Sequence, residues 1–372
     1  MFDFIPVGDY TPIFNYTVLV LILIAFFQCN SGSILEEQNV KSNYGIGIIL
    51  TIILIFYMGL RPVSGVFGDT INYAAEFYTQ AHSQKPFVWE TKGEWLFHNL
   101  MGLYARNSDV HMFFLTVSCV YIGTLWLATK RMFAEYNYIP FLVILSMFTF
   151  WNYGVNGIRN GMAASMIILS YALIDKLPLA VGLAYLATGV HSSTMLMIAA
   201  AVLAWFVKNS KLYLGAWFLC LVASFAAGTA IQTRLMALPM FSDGDDGRMN
   251  AYVSGANQAG EVIVTSMTFR WDFVAYSGMA VAVGYYFIMK RKFADEYYHW
   301  LYNIYLTTNA FWLLVIRANF SNRFAQISWF VMPLVLIYPF FKERFWEDHE
   351  RKLGYALLIF YVFTFYFNIL KG

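Results

Sequence analysis

The densest chemical signal in the chain is the run Trp151-Asn152-Tyr153-Gly154-Val155-Asn156-Gly157-Ile158-Arg159-Asn160-Gly161, which feeds directly into an apolar stretch. It predicts a tight turn followed by a helix, with Arg159 and Asn160 in the first helical turn. Glycines on both sides let the backbone approach a ligand. The first-turn N–H groups and the helix dipole favour negative charge there. A guanidinium captures phosphate in a planar, two-pronged geometry and stays charged.

A second run, Gly189-Val190-His191-Ser192-Ser193-Thr194, places a histidine at a turn between apolar stretches. An imidazole there can take a proton from an attacking hydroxyl near neutral pH. In a third run, Arg317 and Arg323 flank a very short turn, where a shared anion would offset like-charge repulsion. In a fourth, Arg61 follows Gly59-Leu60, and Gly68-Asp69-Thr70-Ile71-Asn72-Tyr73 comes shortly after. Asp69 offers a carboxylate as base or hydroxyl acceptor, and Tyr73 a phenol. Arg248 with Tyr252, and Arg270 with Asp272, complete the set. Each feature also has a plain structural alternative: a snorkelling arginine, an ordinary turn, a structural histidine, or a local Arg–Asp pair.

The elements that must position these residues are membrane helices. The 372 residues are 59% hydrophobic and 12% charged, against about 25% charged in soluble domains. A net charge of +2 gives a nucleic-acid partner no support. About 20 apolar residues span a bilayer core. Twelve stretches are read as spans: 12–29, 44–60, 111–129, 138–154, 158–175, 178–191, 193–207, 212–233, 267–289, 297–317, 320–341 and 353–370. The pieces from 178 to 207 are short enough to be tilted or broken. The first apolar run has no basic region before it and no small-residue cleavage site, so it is read as a permanent span. Cys29, Cys119 and Cys220 lie in or beside apolar runs and are read as small buried hydrophobes.

Loop charges orient the bundle. Placing Lys130, Arg131, Lys176, Lys208, Lys211, Lys290, Arg291, Lys292, Lys342, Arg344, Arg351 and Lys352 in the cytoplasm follows the positive-inside rule and puts both termini outside. Nine of the twelve lysines are then cytoplasmic, whereas eight of the twelve arginines are outside. Lysine sets the topology, and arginine gathers on the face that the rule disfavours. Segments 61–110 and 234–266 are external loops within a single membrane domain, 1–372. From Glu94 to Arg106, Trp95, Leu96, Asn99, Leu100 and Leu103 recur at helical spacing, predicting an amphipathic helix at the outer interface. Segment 234–266 is a long loop of the kind that often serves as a lid. Trp89, Trp95 and Tyr252 could stack on sugars or anchor at the interface. Residues 243–247 resemble a calcium loop only loosely, and neither a zinc motif nor a Walker A run is present.

These residues together resemble the EpsG-type proteins, which are grouped with the Wzy-type polymerases of bacterial O-antigen, capsule and exopolysaccharide. The resemblance rests on Gly59-Leu60-Arg61, Gly68-Asp69-Thr70-Ile71-Asn72-Tyr73, Glu94-Trp95-Leu96-Phe97, Gly157-Ile158-Arg159-Asn160-Gly161, His191-Ser192-Ser193 and Arg323-Phe324, in that order over about residues 45–340. It implies an all-α, GT-C-like bundle with an external catalytic cavity. The implied activity is a glycosyltransferase that joins undecaprenyl-diphosphate-linked oligosaccharides on the periplasmic face of the inner membrane. In that reading Arg159, Arg323 and Arg317 clamp the departing diphosphate, with Arg61, Arg248 and Arg270 as further candidates. His191 is the base, with Asp69 as runner-up. No metal or other cofactor is expected. The partners are the lipid-linked oligosaccharide as donor and acceptor, the bilayer, and possible chain-length regulator and flippase proteins. A flippase would need arginines through the bundle interior, and an acyltransferase gives no reason for many external arginines. A ligase shares the donor chemistry and differs only in acceptor.

Overall fold

This computed structural model describes residues 4–236, 269–317 and 321–371, and every regular element among them is helical. In chain order these are α1 (Tyr10–Asn30), α2 (Glu37–Gly59), α3 (Thr70–Ala81), α4 (Trp95–Asn107), α5 (Val110–Phe133), α6 (Tyr138–Leu145), α7 (Phe150–Val155), α8 (Ile158–Ala172), α9 (Leu177–Val190), α10 (Thr194–Phe206), α11 (Ser210–Met236), α12 (Trp271–Tyr285), α13 (Glu296–Leu314), α14 (Asn322–Trp329), α15 (Met332–Lys342) and α16 (His349–Phe365). They form two compact units, residues 1–198 with 337–372, and residues 199–336.

Six helical stretches among the described residues are long and apolar enough to cross a membrane: Val7–Asn30, Glu37–Gly59, Val110–Leu145, Trp271–Lys290, Asn322–Lys342 and His349–Leu370. Several of the twelve expected spans are filled by shorter helices. The expected span 138–154 divides into α6 and α7, with Ser146 accepting the role of a helix end between them. Helix α8 has 15 residues, α9 has 14 and α10 has 13. At 1.5 Å per residue each is about 20 Å long, short of a hydrocarbon core of about 30 Å. Helix α13 is buried on nearly every side, so its tyrosines, asparagines and threonines face protein and not lipid.

The length mismatch shapes the first unit. Helix α5 has 24 residues, about 36 Å. Arg131 near its end meets Asp175 just beyond α8, so the two helices are level at that end. The opposite end of α8, where Arg159 lies, therefore stops short of the start of α5. Helices α3 and α4 pack on each other and on α5 to fill that step.

Helix α4 falls where the amphipathic pattern predicts it, but its buried face is Phe97, Met101, Gly102 and Ala105. Of the expected stripe only Asn99 is buried. Its amide donates to the Glu90 carbonyl at 2.8 Å and its carbonyl accepts from the Glu90 N–H at 2.9 Å, which ties down the loop before α4. Cys29 is buried, but Cys119 is exposed and Cys220 is half-buried, so only the first fits the expectation of a buried hydrophobe.

In the second unit, a polar knot joins four helices through buried groups. Asn309 of α13 accepts from Trp217 Nε1 of α11 at 2.8 Å and donates to Ser277 Oγ of α12 at 3.1 Å and Ser328 Oγ of α14 at 2.9 Å. Trp329 Nε1 also donates to Ser277 Oγ, at 2.8 Å. In an apolar surround such bonds tie helices together where hydrophobic contrast cannot.

Candidate active site

The site forms where the short helices α8 and α9–α10 end beneath α3 and α4. Gly157 caps the start of helix α8, and Gly161 sits one turn in. A Cβ on Gly161 would lie 2.4 Å from the Tyr153 carbonyl oxygen, and one on Gly157 would lie 2.9 Å from the Tyr153 ring. These glycines thus serve the close packing of α7 on α8, and not the ligand approach expected of them. The consequence for Arg159 is a fixed backbone in the first turn.

Arg159 does meet an anion, and it is the protein's own. Its Nη1 donates to Glu94 Oε2 at 2.6 Å, with the two side chains 15% and 16% exposed. Its Nε lies 3.4 Å from the Tyr73 hydroxyl, and the guanidinium stands over the Tyr73 and Phe97 rings at 5.4 and 5.6 Å. Glu76, a turn along α3 from Tyr73, adds its negative field. Nη2 has no hydrogen-bond partner among the described residues and is not fully buried, which leaves one prong of the fork for a further anion. Burial pushes the Tyr73 phenol up, while Arg159 pulls it back. Tyr73 is therefore a neutral hydroxyl at ordinary pH.

The second Glu94 oxygen, Oε1, lies 3.1 Å from His191 Nδ1. One carboxylate therefore joins the guanidinium and the imidazole, which come from sequence positions 159 and 191. Glu94 was not among the residues expected in the site, because in the sequence it reads as the polar start of an amphipathic helix. A local contact explains how it arrives. A Cβ on Gly189 would sit 2.7 Å from the Trp95 ring, so the absence of a side chain there lets Trp95 lie on α9. Trp95 also packs against Tyr185, with ring centroids 6.1 Å apart. Glu94 precedes Trp95, and His191 follows Gly189 by two residues.

His191 Nδ1 also lies 3.2 Å from the Ser193 N–H, which donates to it. A protonated Nδ1 can donate to Glu94 but cannot accept from Ser193, so the two contacts belong to different protonation states of the ring. The Ser193 hydroxyl donates to Asn160 Oδ1 at 3.1 Å, tying the α9–α10 turn to the residue beside Arg159.

Asp69 is half-buried at the same end of the unit. Its N–H donates to Asn156 Oδ1 at 2.8 Å and its carboxylate accepts from Asn72 at 3.1 Å. Gly68 before it has φ +60°, and a Cβ there would lie 2.4 Å from Asn156 Oδ1, so only glycine fits. Asp69 is anchored close to the α7–α8 turn, but Glu94 is the carboxylate that touches both Arg159 and His191.

Arg61 departs from its expected place among the anion-binding residues. It is completely buried. Nη1 donates to the Met58 carbonyl at 2.5 Å, and Nη2 donates to Thr70 Oγ1 and the Val155 carbonyl, both at 2.9 Å. Its guanidinium lies over Phe67 and Phe114 at 5.7 and 4.9 Å. Burial draws its pKa down to about 9, against the opposing effect of Tyr10, so it remains a cation at neutral pH. Arg61 is a strut that ties the end of α2 to α3 and to the end of α7.

The other candidates belong to the second unit. Arg270 is held two-pronged by Asp272, Nε to Oδ1 at 2.9 Å and Nη2 to Oδ2 at 2.8 Å, which is the plain alternative raised for it. Arg317 lies over the Phe269 ring at 5.5 Å, beside Arg270. Arg323 is exposed in the first turn of α14. Arg248, Tyr252 and most of the 234–266 loop lie outside the described residues. Trp89 is exposed and packs edge-on to Phe87 at 6.2 Å. Among the described residues no three His, Cys, Asp or Glu side chains cluster as metal ligands would.

The fold and the site together define a helical membrane protein that carries a guanidinium, a carboxylate and an imidazole in one partly buried cluster. The chain belongs to the EpsG family, whose family model matches residues 44–372. EpsG is a Wzy-like polysaccharide polymerase family. No curated protein and no solved structure matches the chain.

Proposed function

We propose that this chain is a GT-C-like membrane glycosyltransferase that polymerises polyprenyl-diphosphate-linked oligosaccharide repeat units on the periplasmic face of the inner membrane. The observation that carries the reading is the meeting of Arg159 and His191 on Glu94. It brings a phosphate-binding cation and a proton acceptor to one place.

In the reaction, a hydroxyl of the acceptor sugar attacks the anomeric carbon of the donor. The bond from that carbon to the diphosphate oxygen breaks, and polyprenyl diphosphate leaves. His191 takes the hydroxyl proton. With Nδ1–H directed to Glu94, the ring's lone pair is on Nε2, and the carboxylate stabilises the imidazolium that forms. Arg159 offers its second prong to the diphosphate, whose charge grows as the bond breaks, so the contact strengthens towards the transition state. A guanidinium in that role removes the need for a divalent metal.

The proposed orientation is supported by the charges at the two ends of the first unit. Arg159 and His191 lie at one end of α8 and α9. Lys130, Arg131, Asp175, Lys176 and Lys342 gather at the other, where Lys342 donates to the Met132 carbonyl at 3.2 Å. Lysine marks the cytoplasmic end. The test is purified protein with a polyprenyl-diphosphate-linked repeat unit in chelating buffer, scored by product length. A ladder supports a polymerase. One transfer to a different acceptor indicates a ligase, and movement across vesicles without transfer indicates a flippase.

A further inference from the structure

The second unit carries a groove with the chemistry of a phospholipid site. Lys211, Gly215 and Phe218 on α11 and Tyr285, Met289 and Lys292 at and beyond the end of α12 line a cavity of about 430 Å³. That lies within the usual range for small-molecule sites, about 300–1,000 Å³. Its two lysines are at the same end. Lys208 pairs with Glu296 at 3.0 Å and Ser210 meets His299 at 3.0 Å, which sets the start of α11 beside the start of α13. Lys292 lies just before that start, so it faces the Lys211 end of the groove. Phe218 and Tyr285 lie towards the other end.

Neither lysine has an ion pair or side-chain hydrogen bond among the described residues. The nearby acids are engaged elsewhere: Glu296 holds Lys208, and Asp295 accepts from the Tyr298 N–H at 2.7 Å. Lys290 does not line the groove and stands over the Tyr285 ring at 5.9 Å. Lys292 also occupies a backbone position that ordinarily belongs to glycine. Its φ is +59°, just past a π-helical turn closed by Arg291 N–H donating to the Tyr286 carbonyl at 3.0 Å, and Phe293 N–H then donates to the Phe287 carbonyl at 3.0 Å. A left-handed lysine there is unfavourable for the backbone alone, and buried Phe293 after it fixes the direction of the turn.

Below the lysines the groove is apolar. A Cβ on Gly215 would meet nothing within 4 Å, so that residue forms its open floor. The outward neighbours on α11, Leu212, Leu219 and Val222, are exposed apolar residues suited to lipid. We propose that this groove holds one anionic phospholipid, with its phosphate between Lys211 and Lys292 and an acyl chain along Gly215, Phe218 and Met289. A soluble anion would use only the lysines and leave the apolar floor uncovered. The inference is independent of the glycosyltransferase reading.

The experiment is native mass spectrometry of the full chain in detergent, with phosphatidylglycerol or phosphatidylcholine added and folding checked by melting curves. Wild type is expected to retain one phosphatidylglycerol with a preference on the order of tenfold or more. Lys211→Gln with Lys292→Gln is expected to abolish the preference. Gly215→Phe keeps both lysines, fills open space, and is expected to displace the lipid. Lys292→Gly is expected to weaken retention without lowering the melting temperature, because glycine accepts the left-handed backbone. Equal retention of both lipids by wild type would overturn the proposal. So would unchanged preference in Gly215→Phe, which would indicate surface charge alone, or displacement of the lipid by inorganic phosphate, which would indicate a free-anion site.

Discussion

The Glu94 carboxylate holds Arg159 at 2.6 Å, in a contact where both side chains are only about one-sixth exposed. Its other oxygen reaches His191, so neutralising Glu94 disturbs both. Glu94→Gln keeps the shape but leaves Arg159 without its counter-charge and lets His191 Nδ1 settle on the Ser193 N–H. That second state puts the proton on Nε2, where it cannot act as base. The expected outcome is a loss of transfer on the order of a hundredfold, measured as initial rate on a lipid-linked repeat unit. Stability should fall by about 1–3 kcal/mol, the cost of an unpaired, partly buried group.

Gly189 and Trp95 set the Glu94–His191 distance. Gly189→Val forces the Trp95 ring away from α9, since the added Cβ alone would lie 2.7 Å from it. Glu94 would move with Trp95. The expected result is a folded protein with transfer reduced at least about tenfold, because small misplacements of catalytic groups cost that much or more. Restoring activity by shrinking the ring in Gly189→Val with Trp95→Leu would confirm that the steric contact is the cause.

Arg61 and Arg159 should respond differently to the same conservative change. Arg61→Lys loses part of a buried set of three acceptors, Met58 O, Thr70 Oγ1 and Val155 O. It is expected to lower stability by roughly 1–3 kcal/mol while turnover per folded molecule stays near wild type. Arg159→Lys is expected to fold and melt normally and to lose turnover, since an ammonium cannot hold Glu94 and a phosphate in one plane. Melting curves read beside rates separate the two.

Asn309→Leu tests the polar knot of the second unit. It strands the Trp217 N–H and removes a donor from Ser277 and Ser328. A loss of roughly 1–3 kcal/mol is expected, seen as a lower melting temperature in detergent, with product length unchanged.

The helical, membrane-embedded character was legible because apolar length and charge depletion are properties of the chain itself. The α9–α10 break at His191 was legible for the same reason, since 178–207 is too short for two full spans. The number of full-length spans was not, because α8 to α10 are apolar enough to pass by composition yet too short to cross, and only packing against α5 shows the step. The placement of Arg159, Asn160 and His191 at helix-end turns was legible from the glycines around them. Glu94 entered only within the Glu94-Trp95-Leu96-Phe97 run of the family resemblance, with no role assigned, because its partners are 65 and 97 positions away. Arg61 misled for the converse reason. An arginine after an apolar run looks exposed until three carbonyl and hydroxyl acceptors close around it.

In the proposed reaction His191, oriented by Glu94, accepts the proton from the attacking hydroxyl. The direct measurement is single-turnover transfer by purified wild type and His191→Ala, with donor binding measured alongside on the same lipid-linked repeat unit. His191→Ala is expected to bind donor as wild type does and to transfer at least about a hundredfold more slowly. Transfer at the wild-type rate by His191→Ala would contradict it.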